Sequence, residues 1–218
     1  MLLRLLSELF SRKRTVRETF TRIYKRNLWE GGESRSGTGS GITETGALRE
    51  ELSALIARLR VTSVLDAPCG DFFWMKDIVL DRVNYVGADI VRDIIRDNQE
   101  RHGTPSRRFT CLDITRDALP HAELILCRDC LVHMTFAHAH AALANFKRTG
   151  ATYLLTTTFN GADENRELIG DLDWRPLNLE LDPFNFHPPV GQIDEGRLKW
   201  GTQTRTKSLG LWRLADVP

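Results

Sequence analysis

The stretch SVLDAPCGDFFWM, residues 63–75, decides how the chain is read: an apolar strand runs into a Pro/Gly turn flanked by two acids, Asp66 and Asp71. In an open α/β sheet, ligands dock in the crevice beyond the carboxyl end of the first strand, facing the backbone N–H groups that open the next helix. A short helix is expected near 73–79. A pyrophosphate in that crevice would meet the carboxylate of Asp71 at close range and be repelled. Pro68 and Phe72 also occupy positions where a dinucleotide turn needs small residues. The turn suits a ligand that brings positive charge and no phosphate, as S-adenosylmethionine (SAM) does with its sulfonium and ammonium groups.

Working outward, the pattern alternates. Residues 46–59 form an amphipathic helix with Leu48, Leu52, Leu55, Ile56 and Leu59 on one stripe. The first strand is about 62–67, and the second, NYVGADI, ends at Asp89. A helix carrying Val91, Ile94 and Ile95 follows. RRFTCLDI ends near Asp113, AELILCRD ends near Asp129, a helix spans about 135–148, and TYLLTTTF is a fifth strand. Short, continuously apolar strands alternating with helices predict a parallel sheet covered on both faces, an α/β Rossmann-like architecture. The chain from about 160 onward reads as a long irregular excursion marked by Trp174, Pro176, Pro183, Pro188 and Pro189, before a last strand pattern in KSLGLWRLADV.

At the other end, residues 1–28 read as a basic helix with Leu2, Leu5, Leu6, Leu9, Val16, Phe20, Ile23 and Tyr24 at helical spacing. It packs on its own domain or a second subunit, or makes a weak contact with a membrane surface or an anionic partner. EGGESRSGTGSG, residues 30–41, is a flexible linker, or a lid whose backbone N–H groups close over a ligand. Domain boundaries follow: 1–44 for the helix and Gly-rich segment, 45–218 for the ligand-binding domain.

The 218 residues suit one domain with a sizeable core. Residues 1–26 hold eight Arg/Lys against two Glu, so the near-neutral total conceals a basic end and a mildly acidic body. That body argues against a broad nucleic-acid interface. Four cysteines and no secretory signal of adequate apolar length fit reduced thiols in a cytoplasm. Cys127 and Cys130 form a lone C-x-x-C without the second pair a structural zinc site needs, and His138 and His140 face different sides of their helix, so no metal is expected.

Asp89 lies 23 residues beyond Asp66, close to the spacing at which an acid after the second strand takes both ribose hydroxyls of an adenosine. With DAPCGD (66–71) in the position of the D-x-G-x-G-x-G loop, the chain resembles a class I SAM-dependent methyltransferase. More narrowly, WEGGESRSGTGSG, LDAPCGDFFWM, LCRDCLVH, YLLTTTF, WRPLNL, PFNF and KSLGLW together resemble a poorly characterised bacterial methyltransferase family associated with glycan or surface-polysaccharide genes. The resemblance implies a mostly parallel seven-stranded sheet whose last strand is antiparallel. It also implies that Gly70 makes room for the methionine portion, that Asp89 holds the ribose, and that Asp113 with Ile114 meets the adenine. Pro68 and Cys69 in the turn, Ile90 beside Asp89, and Arg128 after the fourth strand complete the expected cofactor contacts.

The fourth strand opens onto CRDCLVHM, residues 127–134, where the methyl group should lie. Methyl transfer is an in-line displacement, so holding the reacting atoms in line supplies much of the rate. A hydroxyl acceptor must also lose its proton. Asp129 and His133 are the candidate bases, neutral imidazole being the better matched near pH 7; His133 as a structural or adenine-proximal group and Asp129 as a substrate-orienting group remain open. Trp174, Arg175, Asn178, Asn185 and His187 offer the aromatic faces and donors a polyol needs, or else anchor the tail to the core. The expected reaction is methyl transfer to an oxygen, less readily a nitrogen, of a small molecule or glycan. A catalytically silent SAM-binding partner subunit and a nucleic-acid methyltransferase are the alternatives, and the sequence leaves oligomeric state open.

Overall fold

The computed structural model describes residues 14–161, 163–168, 173–200 and 203–218. Four α-helices among them are α1 (Val16–Arg26), α2 (Gly46–Leu59), α3 (Arg92–His102) and α4 (Phe136–Arg148). Seven strands, β1 (Ser63–Asp66), β2 (Asn84–Asp89), β3 (Arg107–Cys111), β4 (Leu124–Cys127), β5 (Tyr153–Asn160), β6 (Gly191–Trp200) and β7 (Gln203–Arg213), make one sheet in the order β3-β2-β1-β4-β5-β7-β6. Strands β1 to β5 pair in parallel, and β7 runs antiparallel to both of its neighbours. The carboxyl ends of β1, β2, β3 and β4 therefore share one edge of the sheet.

The strands are short and apolar because both of their faces are buried. Along β4, Leu124 and Leu126 join one core cluster while Ile125 and Cys127 join the other. The first cluster takes in Leu48, Leu52, Leu55 and Ile56 of α2 with Val64 and Leu155. The second takes in Ala139, Ala142, Leu143 and Phe146 of α4 with Leu65 and Leu154. α4 begins where Thr135 accepts a hydrogen bond from the N–H of His138, an N-cap that satisfies one orphan donor. α1 opens with a capping box between Thr15 and Glu18 and closes at Asn27 in the left-handed conformation. Residues 1–13 of the expected N-terminal helix lie outside the described residues.

Two local expectations change. The helix expected near 73–79 is a single 3-10 turn, Met75–Asp77, bounded by Phe72 at φ 58° and an extended Ile78. The excursion after residue 160 contains β6, which sequence reading missed. Its charged run, Asp194, Glu195 and Arg197, hides the alternation that marks a strand, and a register shift between Asp194 and Arg197 with Gly196 at φ 99° interrupts its pairing. Such charges and bulges are how edge strands avoid further pairing.

Leu154 is fully buried at the centre of the second cluster. Leu154→Ala is expected to lower stability by about 2–5 kcal/mol, read in urea as a lower midpoint with an unchanged slope.

Candidate functional site

A cavity with about 1040 Å³ of empty space, its open mouth included, lies along the carboxyl edge of the sheet. β1 supplies Asp66 and the turn Pro68, Cys69, Gly70 and Asp71. β2 supplies Asp89 and Ile90, the segment after β3 supplies Asp113 and Ile114, and the segment after β4 supplies Arg128, Asp129 and His133. All the expected cofactor residues and both candidate bases thus border one space, because parallel strands end on the same side.

Asp66 and Asp89 are buried, 3% and 6% exposed. Burial pushes the Asp66 carboxyl up to about 7, with the Asp89 charge adding to the rise and the Tyr85 hydroxyl, which donates to it at 2.6 Å, opposing it. Burial likewise raises Asp89 to about 6. One oxygen of Asp89 accepts from the Val91 N–H at 2.8 Å and the other from the Gly70 N–H at 3.3 Å, so the carboxylate fastens the first turn to the second strand. Asp113 accepts from both the N–H and hydroxyl of Thr115 and pairs with Arg116, which caps the turn after β3. In both carboxyls the largest cause is desolvation, which favours the neutral acid.

The expected lid or linker is docked. Asp71 accepts from the Ser34 hydroxyl at 2.8 and 3.0 Å, the Arg35 N–H at 2.8 Å and the Ser36 hydroxyl at 3.1 Å. The Asp71 N–H in turn donates to Ser36 Oγ at 3.0 Å. Gly70, at φ 54°, is needed here: a Cβ would sit 2.4 Å from Ser36 Oγ. Before this segment, α1 covers the cavity with Val16, Phe20 and Tyr24, pinned where Arg17 donates to the Ile90 carbonyl at 2.6 Å and Lys25 pairs with Asp93 at 3.0 Å. Its apolar stripe is therefore spent on the cavity. Sequence reading missed Phe20, Tyr24, Trp29, Arg35, Ser36 and Trp74 as cavity residues; only the helical spacing of Phe20 and Tyr24 signalled an apolar partner.

Beyond β4, Asp129 adopts φ 51° and is surrounded by cations: Lys207 Nζ at 2.6 Å and Arg128 at 3.5 Å. They hold its carboxyl below the usual range despite its burial, so Asp129 is a poor proton acceptor. Arg128 and Lys207 also grip the Glu195 carboxylate of β6, each at 2.7 Å, completing a quartet in which Arg128 and Glu195 are buried and Asp129 and Lys207 half-buried. The other candidate, His133, differs. Its Nδ1 lies 3.2 Å from the Asp173 carbonyl, which can only accept, so Nδ1 carries the proton and Nε2 keeps its lone pair. Burial lowers the imidazole pKa below its ordinary value, which leaves the ring neutral at pH 7.

None of the five expected substrate residues is among the described residues that border this cavity. Arg175 donates to the carbonyls of Leu131 and Val132, and Trp174 stacks edge-on against Phe159. Asn178 exchanges hydrogen bonds with Asn165 and accepts one from the Glu180 N–H, the His187 carbonyl accepts from Trp212 Nε1, and Asn185 is exposed at φ 52°. They anchor the tail; Arg175, by holding the 131–132 carbonyls, also fixes the turn bearing His133. All four cysteines are free thiols.

No protein-family model and no curated protein matches the chain by sequence. Solved structures do match it in fold. The 1,6-didemethyltoxoflavin N1-methyltransferase of Burkholderia thailandensis, with bound substrate and S-adenosylhomocysteine (SAH), superposes with a TM-score of 0.58 at 16% identity over 91% of this chain and 86% of its own. Human N-acetylserotonin methyltransferase with SAM gives 0.55 at 13% identity over 90% of this chain and 60% of its own. Magnesium protoporphyrin IX methyltransferase of Synechocystis PCC 6803 with SAH gives 0.50 at 10% identity, covering 77% of this chain and 84% of its own. The fold is therefore that of the class I SAM-dependent methyltransferases.

The raised Asp66 carboxyl carries a sign that can be tested. Folded protein keeps a proton that unfolded chain releases above its ordinary value near 3.8, so stability falls as pH climbs from about 4 to about 7. Asp66→Asn removes this loss and should gain on wild type, by on the order of 2–4 kcal/mol between pH 4 and pH 8. Urea titrations at the two pH values check it; a pH-independent difference would show that Asp66 ionises as freely in the fold as outside it.

Proposed function

We propose that the protein is a SAM-dependent methyltransferase that moves a methyl group onto an oxygen of a small molecule. The observation that carries the reading is the gathering of Asp66, Asp71, Asp89 and Asp113 at one mouth of a methyltransferase fold, with a neutral imidazole beyond the next strand. The residues present fit the cofactor. Asp89 would hold the ribose hydroxyls, and the apolar Ile90, Ile94, Leu112 and Ile114 offer a slot for a flat purine. Asp66 and Asp71 would face the cationic end, and Arg35, whose guanidinium lies over the Tyr24 ring, could take a carboxylate.

The cofactor supplies an electrophilic methyl group on a sulfonium. The chain's own part is to exclude water with α1 and residues 34–40, to hold the acceptor beside His133, and to receive the acceptor's proton at Nε2. Asp129, clamped by Lys207, keeps its charge and steadies the turn. Among the described residues no helix is long and apolar enough to cross a membrane.

Calorimetric titration with SAM and SAH tests the cofactor assignment. Asp89→Ala should weaken both by about 10- to 150-fold through loss of charge-assisted hydrogen bonds, and wild-type affinity should decline below about pH 6 as Asp89 takes up a proton. Equal binding by variant and wild type would overturn the assignment. For the base, ¹⁵N spectra of the imidazole at pH 7 should show the neutral Nδ1–H form of His133 with a midpoint below 6.5; a charged ring at pH 7 would remove it from that role.

A further inference from the structure

The stretch of cavity around His133 has a particular chemical character. Its walls are the Trp29 indole, with ring centroid 5.1 Å from that of His133 and planes inclined at 32°, together with Phe20 and Met134. Phe20 meets Trp29 edge-on at 6.1 Å. Among the described residues, the charged groups of the neighbouring turn are paired with one another. Asp129 is held by Lys207 at 2.6 Å and Thr157 at 3.3 Å, Lys207 is shared with Glu195, and Arg128 serves Glu195 and the Gly39 carbonyl. The tail residues that could have served a polyol lie outside the cavity.

Resting on the methyltransferase reading, we propose that this compartment takes a flat aromatic compound bearing one hydroxyl, laid against Trp29 with the hydroxyl at His133 Nε2, and that it rejects sugars. An imidazole acceptor amid aromatic walls satisfies one polar group and matches ring surface with ring surface. A sugar brings several hydroxyls, each of which would be desolvated without a partner. Acidity points the same way. A phenolic hydroxyl ionises near pH ~10, whereas an aliphatic one lies closer to water at about 15.7, and burial has made His133 a weak base.

The test uses the full chain saturated with SAH, titrated calorimetrically with 2-naphthol and with methyl α-D-glucopyranoside. The naphthol should bind and the glucoside should bind at least about tenfold more weakly. Trp29→Ala should weaken naphthol binding by about tenfold or more while SAH affinity stays within about twofold, and Trp29→Phe should recover part of the loss. SAH affinity doubles as the check that each variant is folded. Intact SAH binding with no naphthol binding, with glucoside binding as tightly, or with naphthol affinity indifferent to Trp29→Ala overturns the inference alone. Failure of wild type to bind SAH overturns the cofactor reading and this inference with it.

Discussion

The carboxylate of Asp71 is the hinge of the whole arrangement. It sits one residue beyond the glycine that turns the chain out of β1, and it collects donors from Ser34, Arg35 and Ser36, more than thirty residues earlier in the sequence. An exposed Gly-rich segment has little reason of its own to adopt one path, since ordering it costs backbone entropy. Hydrogen bonds to a fixed anion supply that reason. Through them the N-terminal residues become a wall of the cavity, and Phe20, Tyr24 and Trp29 gain a fixed relation to the strand ends.

A second electrostatic pattern sits beside the first. Asp66 and Asp89 are buried, and desolvation makes them hold their protons more tightly than usual. Half-buried Asp129 and the buried Glu195 side chain are matched by Arg128 and Lys207. The two ends of the crevice therefore differ: at one the acids are held by burial, at the other by opposite charge. Unmatched buried carboxyls cost stability, which a folded chain tolerates where a ligand restores the balance. The matched quartet ties the β6–β7 edge to the end of β4, and removing either acid would leave two cations sharing one carboxylate.

Legibility tracked how local the determining physics was. The amphipathic stripe of α2 and the apolar runs of β1, β2, β4 and β5 were readable because burial on a given face is written in residue spacing. β6 was not, because its pairing relies on β7 and its charged residues imitate a loop. In the site, the four rim acids could be found from strand ends alone. Glu195, Lys207 and Trp29 could not, since each acquires its place through contacts far along the chain. The tail shows the converse: Trp174, Arg175 and Asn178 have the chemistry of a polar binding site, yet the backbone carbonyls and rings around them use it for anchorage.

By itself, the sequence determined an α/β sheet with acids where its first three strands end, because strand periodicity and turn residues are short-range properties. Tertiary structure decided which of the two candidate bases keeps a usable lone pair. Asp129 and His133 are near neighbours in the chain, but Lys207 from β7 holds the carboxylate while the Asp173 carbonyl holds the proton of Nδ1. Proton affinity is set by charges and burial within a few ångströms, and those surroundings come from residues that only folding brings together.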